Sequence, residues 1–251
     1  MNAKIFMLGT GAAMPISRGL PCIALRIDSN IYLLDVGEGC QQRLFEAGLG
    51  LVKIKTIMIT HLHGDHYLGL FGMFQSMHLS NRKNELYLIA PAKLKDLLKK
   101  FIELGLAKIA YPIYFVEAKE GELYRDNKIS VEAFKVVHGI EAYGYKLTLK
   151  NGKRIVYTGD TKPFEDLESI AKNADILVHE ATFTSDLREE AWEQGHSTAA
   201  DAAITAYKAN VKELVLTHIS SRYKDAEPLY VDAYRYFRNV VVAEDYMVIY
   251  L

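Results

Sequence analysis

Only two cysteines, Cys22 and Cys40, occur in the 251 residues. That is too few for a disulfide framework, so a reducing compartment is the expectation. Excess charge is also missing: 30 Lys and Arg face 31 Asp and Glu, a net charge of −1. No global field draws the chain to nucleic acid, and a polyanion would have to be held by a local patch. Long apolar runs are absent too. The stretch from Met1 to Gly9 has one lysine and a short apolar run before Gly11 and Pro15, too brief for a signal peptide or a membrane span. A cytoplasmic protein without a membrane partner is therefore expected. Linkers, low-complexity segments and repeats of roughly 20–50 residues are lacking as well. What is present is ordinary for a globular chain: 50% hydrophobic and 24% charged residues, enough for a sizeable core. The length fits one large domain or two small ones.

One stretch is far from ordinary. Thr60-His61-Leu62-His63-Gly64-Asp65-His66 follows the apolar, β-branched run Ile54 to Ile59, so it reads as a strand running into a tight loop. His61 and His63 are two apart, which puts both side chains on one side of an extended backbone. Gly64 is expected to turn the chain sharply through a left-handed conformation, bringing Asp65 and His66 in from the far side. Three imidazoles and a carboxylate in six residues indicate a loop-built metal site, unlike the helical His-Glu-x-x-His arrangement.

Elsewhere strands and helices alternate, and four more strand-like runs end in ligand-type residues. His138 follows Val136-Val137, Asp160 follows Ile155 to Gly159, His179-Glu180 follows Ile176 to Val178, and His218 follows Leu214 to Thr217. Groups at strand ends are aimed by a rigid sheet. Two metals about 3.5–4 Å apart need about seven ligands, one of them bridging. His61, His63 and His138 on one ion, Asp65, His66 and His218 on the other, and a bridging Asp160 meet that count. Imidazole-rich ligation favours Zn(II); Mn(II) and Fe(II) are also compatible with such donors. Such a pair activates water at neutral pH. Helices are expected over Cys40–Ala47, Leu68–Met77, Lys93–Leu104, Thr198–Lys208 and Leu229–Phe237. Asn151-Gly152 marks a tight hairpin, and two sheets with helices outside are the natural architecture.

These residues also carry a resemblance. The chain resembles the metallo-β-lactamase superfamily and, within it, the ribonuclease Z family, endonucleases that trim tRNA 3′ trailers. Besides the metal loop, the carriers are Gly9-Thr10-Gly11-Ala12-Ala13-Met14-Pro15, Asp35-Val36-Gly37-Glu38-Gly39-Cys40-Gln41-Gln42, His179-Glu180-Ala181-Thr182 paired with His196-Ser197-Thr198, and Thr217-His218-Ile219-Ser220-Ser221-Arg222-Tyr223. The resemblance implies an α/β fold, the four-layer αβ/βα sandwich, as a single hydrolase domain over residues 1–251. It implies precursor tRNA as substrate and a homodimer. It gives Asp65 a part in orienting or deprotonating the attacking water. His196, supported by Glu180, becomes the proton donor to the leaving ribose oxygen, and His179 a residue that orients a ligand. Arg18 and Arg222 are candidates for phosphate contact. Two departures stand out. The family inserts a long tRNA-gripping arm between the positions of His138 and Asp160, where this chain has only the Asn151-Gly152 hairpin. Cys40 stands where threonine is usual. The shortened connection and near-neutral charge favour the rival reading, a small-molecule hydrolase acting on cyclic phosphodiesters or aryl sulfates. The paired His-Glu and His-Ser-Thr motifs favour the nuclease.

Overall fold

A computed structural model describes residues 2–251. The chain forms two compact units that interleave in sequence. The first takes the residues up to Gly9, then Gly19–Ala118 and Asp245–Leu251; the second takes Thr10–Arg18 and Lys119–Glu244. Each is built on one seven-stranded sheet.

The sheet of the first unit uses β1 (Ala3–Gly9), β2 (Cys22–Ile27), β3 (Asn30–Leu34), β4 (Ile54–Met58), β5 (Leu86–Ala90), β6 (Ile113–Glu117) and β14 (Met247–Tyr250), in the order β14-β1-β2-β3-β4-β5-β6. The edge through β14, β1, β2 and β3 is antiparallel, and β3 through β6 run parallel. Parallel strands need crossovers, which here carry the helices α1 (Cys40–Glu46), α2 (Gly64–Tyr67), α3 (Gly69–Leu79) and α4 (Lys93–Glu103). Leu44, Leu70, Met73, Phe74, Met77, Leu94 and Leu98 project from these helices into a core with Leu33, Ile57, Ile59 and Leu88. In α4 only Leu94 and Leu98 are buried, so its lysines form a solvated face. Cys22 and Cys40, both fully buried, are joined in a single disulfide that ties β2 to the start of α1. The bridge runs against the reducing compartment expected from the cysteine count, and across an 18-residue separation it restricts the unfolded chain. Arg82 is 2% exposed and donates to the carbonyls of Leu51, Ile54, Asn84 and Glu85.

In the second unit the strands are β7 (Gly121–Arg125), β8 (Ile129–Lys135), β9 (Tyr143–Leu149), β10 (Arg154–Tyr157), β11 (Ile176–Glu180), β12 (Glu213–Thr217) and β13 (Val240–Val242), in the order β13-β12-β11-β10-β9-β8-β7. β7 to β10 form an antiparallel meander and β10 to β13 run parallel. Lys150-Asn151-Gly152 closes β9 onto β10: Gly152 N–H donates to the Leu149 carbonyl at 2.8 Å and Gly152 alone of the three has a positive φ, +85°, the left-handed last residue of a three-residue hairpin loop. The helices are α5 (Asp166–Ile170), α6 (Arg188–Glu193), α7 (Ala199–Lys208) and α8 (Glu227–Tyr234). α7 buries Ala199, Ala200, Ala202, Ala203 and Ala206, and small side chains of this kind let a helix approach its neighbours closely. Thr198 caps α7 in a reciprocal box with Asp201, satisfying donors the first turn cannot.

Gly64 departs from expectation. It has no left-handed conformation; it opens α2, after an extended His63 at φ −73°. A Cβ there would lie 2.9 Å from Leu68 Cδ1, the far end of an exposed side chain that can swing away. Three elements had no signal in the sequence: β7, whose residues are all exposed or half-buried, and the short helices α5 and α6. Among the described residues no helix is long and apolar enough to cross a membrane.

Candidate metal centre

In the first unit the donors are arranged by the end of β3. Asp35 follows that strand at φ +56°, an uncommon conformation for a residue with a side chain, and is fully buried. Its Oδ1 accepts the Thr60 backbone N–H at 2.8 Å, and its Oδ2 lies 2.8 Å from His66 Nδ1. The backbone adds a second clamp: Val36 N–H donates to the His66 carbonyl at 2.7 Å, and Gly69 N–H to the Val36 carbonyl at 3.0 Å. Gly37 has to be glycine at this crossing, since a Cβ would stand 2.3 Å from the Asp65 carbonyl oxygen. Held this way, His61 Nε2 and His63 Nδ1 are 3.1 Å apart. His66 Nε2 is 3.5 Å from Asp65 Oδ2, and the rings of His61 and His66 are 4.1 Å apart. His61 Nδ1 faces Thr60 Oγ1 at 3.0 Å. Four donor residues from one short loop thus converge. The part played by Asp35 has no local sequence signal beyond a carboxylate at a strand end.

In the second unit the donors come from segments far apart in the chain. His138 lies beyond β8 and its Nδ1 is 2.8 Å from the Gly195 carbonyl. Asp160 follows β10 after Gly159 at φ +59°, and His218 leaves β12 at φ +57°. Asp160, His196 and His218 each offer an atom within 4.8 Å of the others, and His218 Nε2 lies 3.4 Å from Asp160 Oδ2. The rings of His138 and His196 are 5.2 Å apart, and those of His196 and His218 stack at 5.3 Å.

Glu180, at the end of β11 and 1% exposed, organises this group. It accepts Thr161 N–H at 3.0 Å and Thr182 N–H at 3.2 Å, and lies 2.8 Å from His196 Nδ1. Burial pushes its carboxyl up, but the charge and hydrogen bond of His196 outweigh that and hold it below the usual carboxylate range. Thr182 Oγ1 lies 2.8 Å from both Glu180 Oε2 and His218 Nδ1. His179 is engaged differently: its buried Nδ1 faces the Glu180 carbonyl at 2.7 Å, and burial lowers its pKa. Ser197 does not cap α7; its hydroxyl donates to the Thr161 carbonyl at 2.6 Å. Arg18 is held by Thr10 Oγ1 and the Ala243 carbonyl. Arg222 pairs with Glu190 at 3.1 Å and covers the Phe183 ring.

The donor chemistry fits divalent transition metals. Imidazole nitrogens and carboxylates are the ligands zinc takes, and ligating histidines commonly engage their second nitrogen with a carboxylate or carbonyl. His66 on Asp35 and His138 on the Gly195 carbonyl have that arrangement. Among the described residues, His and Asp side chains form clusters able to hold metal, and Asp160, His196 and His218 of the second unit are one of them.

Residues 31–219 match the family model described as the beta-lactamase superfamily domain. The chain is 35% identical over 298 residues to a ribonuclease Z of Archaeoglobus fulgidus, covering 98% of this chain and 97% of that one. It is 38% identical over 292 residues to a ribonuclease Z of Ignicoccus hospitalis, with 97% of each covered. The chain belongs to the ribonuclease Z family. It has the metallo-β-lactamase fold and is a hydrolase of that superfamily. The crystal structure of human short-form tRNase Z matches it with a TM-score of 0.82 and 32% identity over 98% of both chains. The ribonuclease Z alignments span more positions than the 251 residues of this chain, so those relatives carry segments that this family member lacks.

Proposed function

We propose that the protein is an endoribonuclease that removes 3′ trailers from precursor tRNA, working as a single hydrolase domain with two divalent cations, zinc foremost. His61, His63 and His138 would hold one ion and Asp65, His66 and His218 the other, with Asp160 shared by the two. When bound, the pair supplies an activated water and neutralises charge on the phosphodiester oxygens. Asp65 would orient that water and accept its proton. His196 gives a proton to the departing 3′ oxygen of the ribose. The observation that carries the nuclease reading is the Glu180–His196 pair: a buried carboxylate 2.8 Å from Nδ1 fixes the ring and leaves Nε2 to deliver the proton. A homodimer in the cytoplasm is part of the same reading.

The compact β9–β10 hairpin favours a second reading, hydrolysis of cyclic phosphodiesters or aryl sulfates. A cleavage assay on precursor tRNA beside bis(p-nitrophenyl) phosphate separates the two. Cutting at the base of the trailer, with binding that weakens steeply as salt rises, supports the nuclease. Turnover of the small ester alone overturns it.

A further inference from the structure

Each unit contains a buried carboxylate, a threonine hydroxyl and two imidazoles in the same relation. In the second unit Glu180 lies 2.8 Å from His196 Nδ1, and Thr182 Oγ1 lies 2.8 Å from Glu180 Oε2 and 2.8 Å from His218 Nδ1. In the first, Asp35 Oδ2 lies 2.8 Å from His66 Nδ1, while Thr60 Oγ1 lies 2.9 Å from that same oxygen and 3.0 Å from His61 Nδ1. Of these eight side chains, all but His196 and Thr182 belong to residues under 6% exposed, and Thr182 is at 6%, so bulk water does not compete strongly for the contacts.

A proton count decides the direction of these bonds. An ionised carboxylate only accepts, and a threonine hydroxyl has one proton to give. Both Glu180 oxygens already accept backbone N–H groups, as Asp35 Oδ1 does from Thr60. The hydroxyl proton of each threonine therefore goes to the carboxylate. The hydroxyl oxygen is then an acceptor toward imidazole, and the imidazole nitrogen facing it must carry a hydrogen. We propose that Thr60 and Thr182 are positioning residues that fix His61 and His218 as the Nδ1–H tautomer, so that Nε2 keeps its lone pair for a metal ion. One carboxylate per unit thus sets two imidazoles, one directly and one through a hydroxyl. This inference rests on the metal-binding reading above only for its consequence; the tautomers belong to the protein without metal.

The test uses full-length protein stripped of metal by chelation and labelled with ¹⁵N in histidine. Two-bond ¹H–¹⁵N spectra read each tautomer, and separate His61→Asn and His218→Asn samples assign the two rings. The wild type is expected to show Nδ1–H at both; an Nε2–H ring at His218 or His61 overturns the proposal for that unit without any variant. Thr182→Val, which keeps the shape and removes the hydroxyl, is expected to release His218 into a tautomer mixture. It should also weaken zinc binding, measured by chelator competition, about 10–100-fold. Thr182→Ser is expected to restore both readouts, which loss of packing alone would not predict. Thr60→Val and Thr60→Ser repeat the test at His61. Unchanged tautomers and zinc affinity in both valine variants overturn the relay. Failure to cleave tRNA with the tautomer shift intact refutes the nuclease reading and leaves the relay standing.

Discussion

The two units reach similar donor sets by opposite routes. The first draws His61, His63, Asp65 and His66 from a single loop after β4, and Asp35 steadies them from one strand away. The second gathers His138, Asp160, His196 and His218 from four segments, with Glu180 at their centre. In the first, local backbone fixes the geometry: an extended His61–His63 step and the opening turn of α2. In the second, strand register fixes it, because parallel β10, β11 and β12 end side by side. A donor set built by register depends on the whole sheet, whereas one built by a loop depends on the crossing at Gly37.

The largest expected effect probes the register-built set. Asp160→Ala should remove a ligand shared by both ions and lower turnover by on the order of 10³-fold; retention of two tightly bound metals by elemental analysis would refute the bridging role. His196→Ala should lower kcat by about 10²–10⁴-fold with metal content unchanged, which single-turnover cleavage and metal analysis would read together. No residue of the first unit is expected to show that split. For the first unit, replacing both Cys22 and Cys40 by alanine should cost about 3 kcal/mol of stability, read as a lower urea midpoint. Reduction of the wild type should reproduce most of that loss.

The smallest effect contrasts one buried basic side chain from each unit. Burial lowers the pKa of Arg82 and of His179, but arginine stays charged while histidine changes charge near neutrality. Burial puts the folded-state pKa of His179 below its unfolded value. Its contribution is full above an unfolded pKa of about 6.5 and is lost as pH falls through that value toward the folded one. Acid-induced unfolding of the wild type should therefore start below about pH 6.5, and His179→Gln should reduce that pH dependence. An identical pH profile for the two proteins would remove His179 as the cause.

Legibility in the sequence follows the same division. The loop from His61 to His66 announces itself because its donors are neighbours, and the Asn151-Gly152 turn is visible for the same reason. Most sheet strands are legible through apolar runs that end in polar residues. β7 is not, because a half-exposed strand with Glu122 and Arg125 carries no apolar alternation. The roles of Asp35, Thr60 and Thr182 were hidden as well: a hydroxyl between a carboxylate and an imidazole is a relation across strands and loops. Gly64 is not the left-handed turn its residue type suggests, because the chain changes direction there by opening α2 after an extended His63.

The pairing of β1 with β14, Lys4 opposite Tyr250, bears on biosynthesis. A ribosome makes the seven strands of the second unit in one continuous stretch, so that sheet can close while translation proceeds. The first unit begins earlier but stays unfinished until Met247–Tyr250 emerges, and until then β1 presents an open edge to other nascent chains. Truncation of those last residues should accordingly produce aggregation during expression, well before any loss of chemistry could be seen.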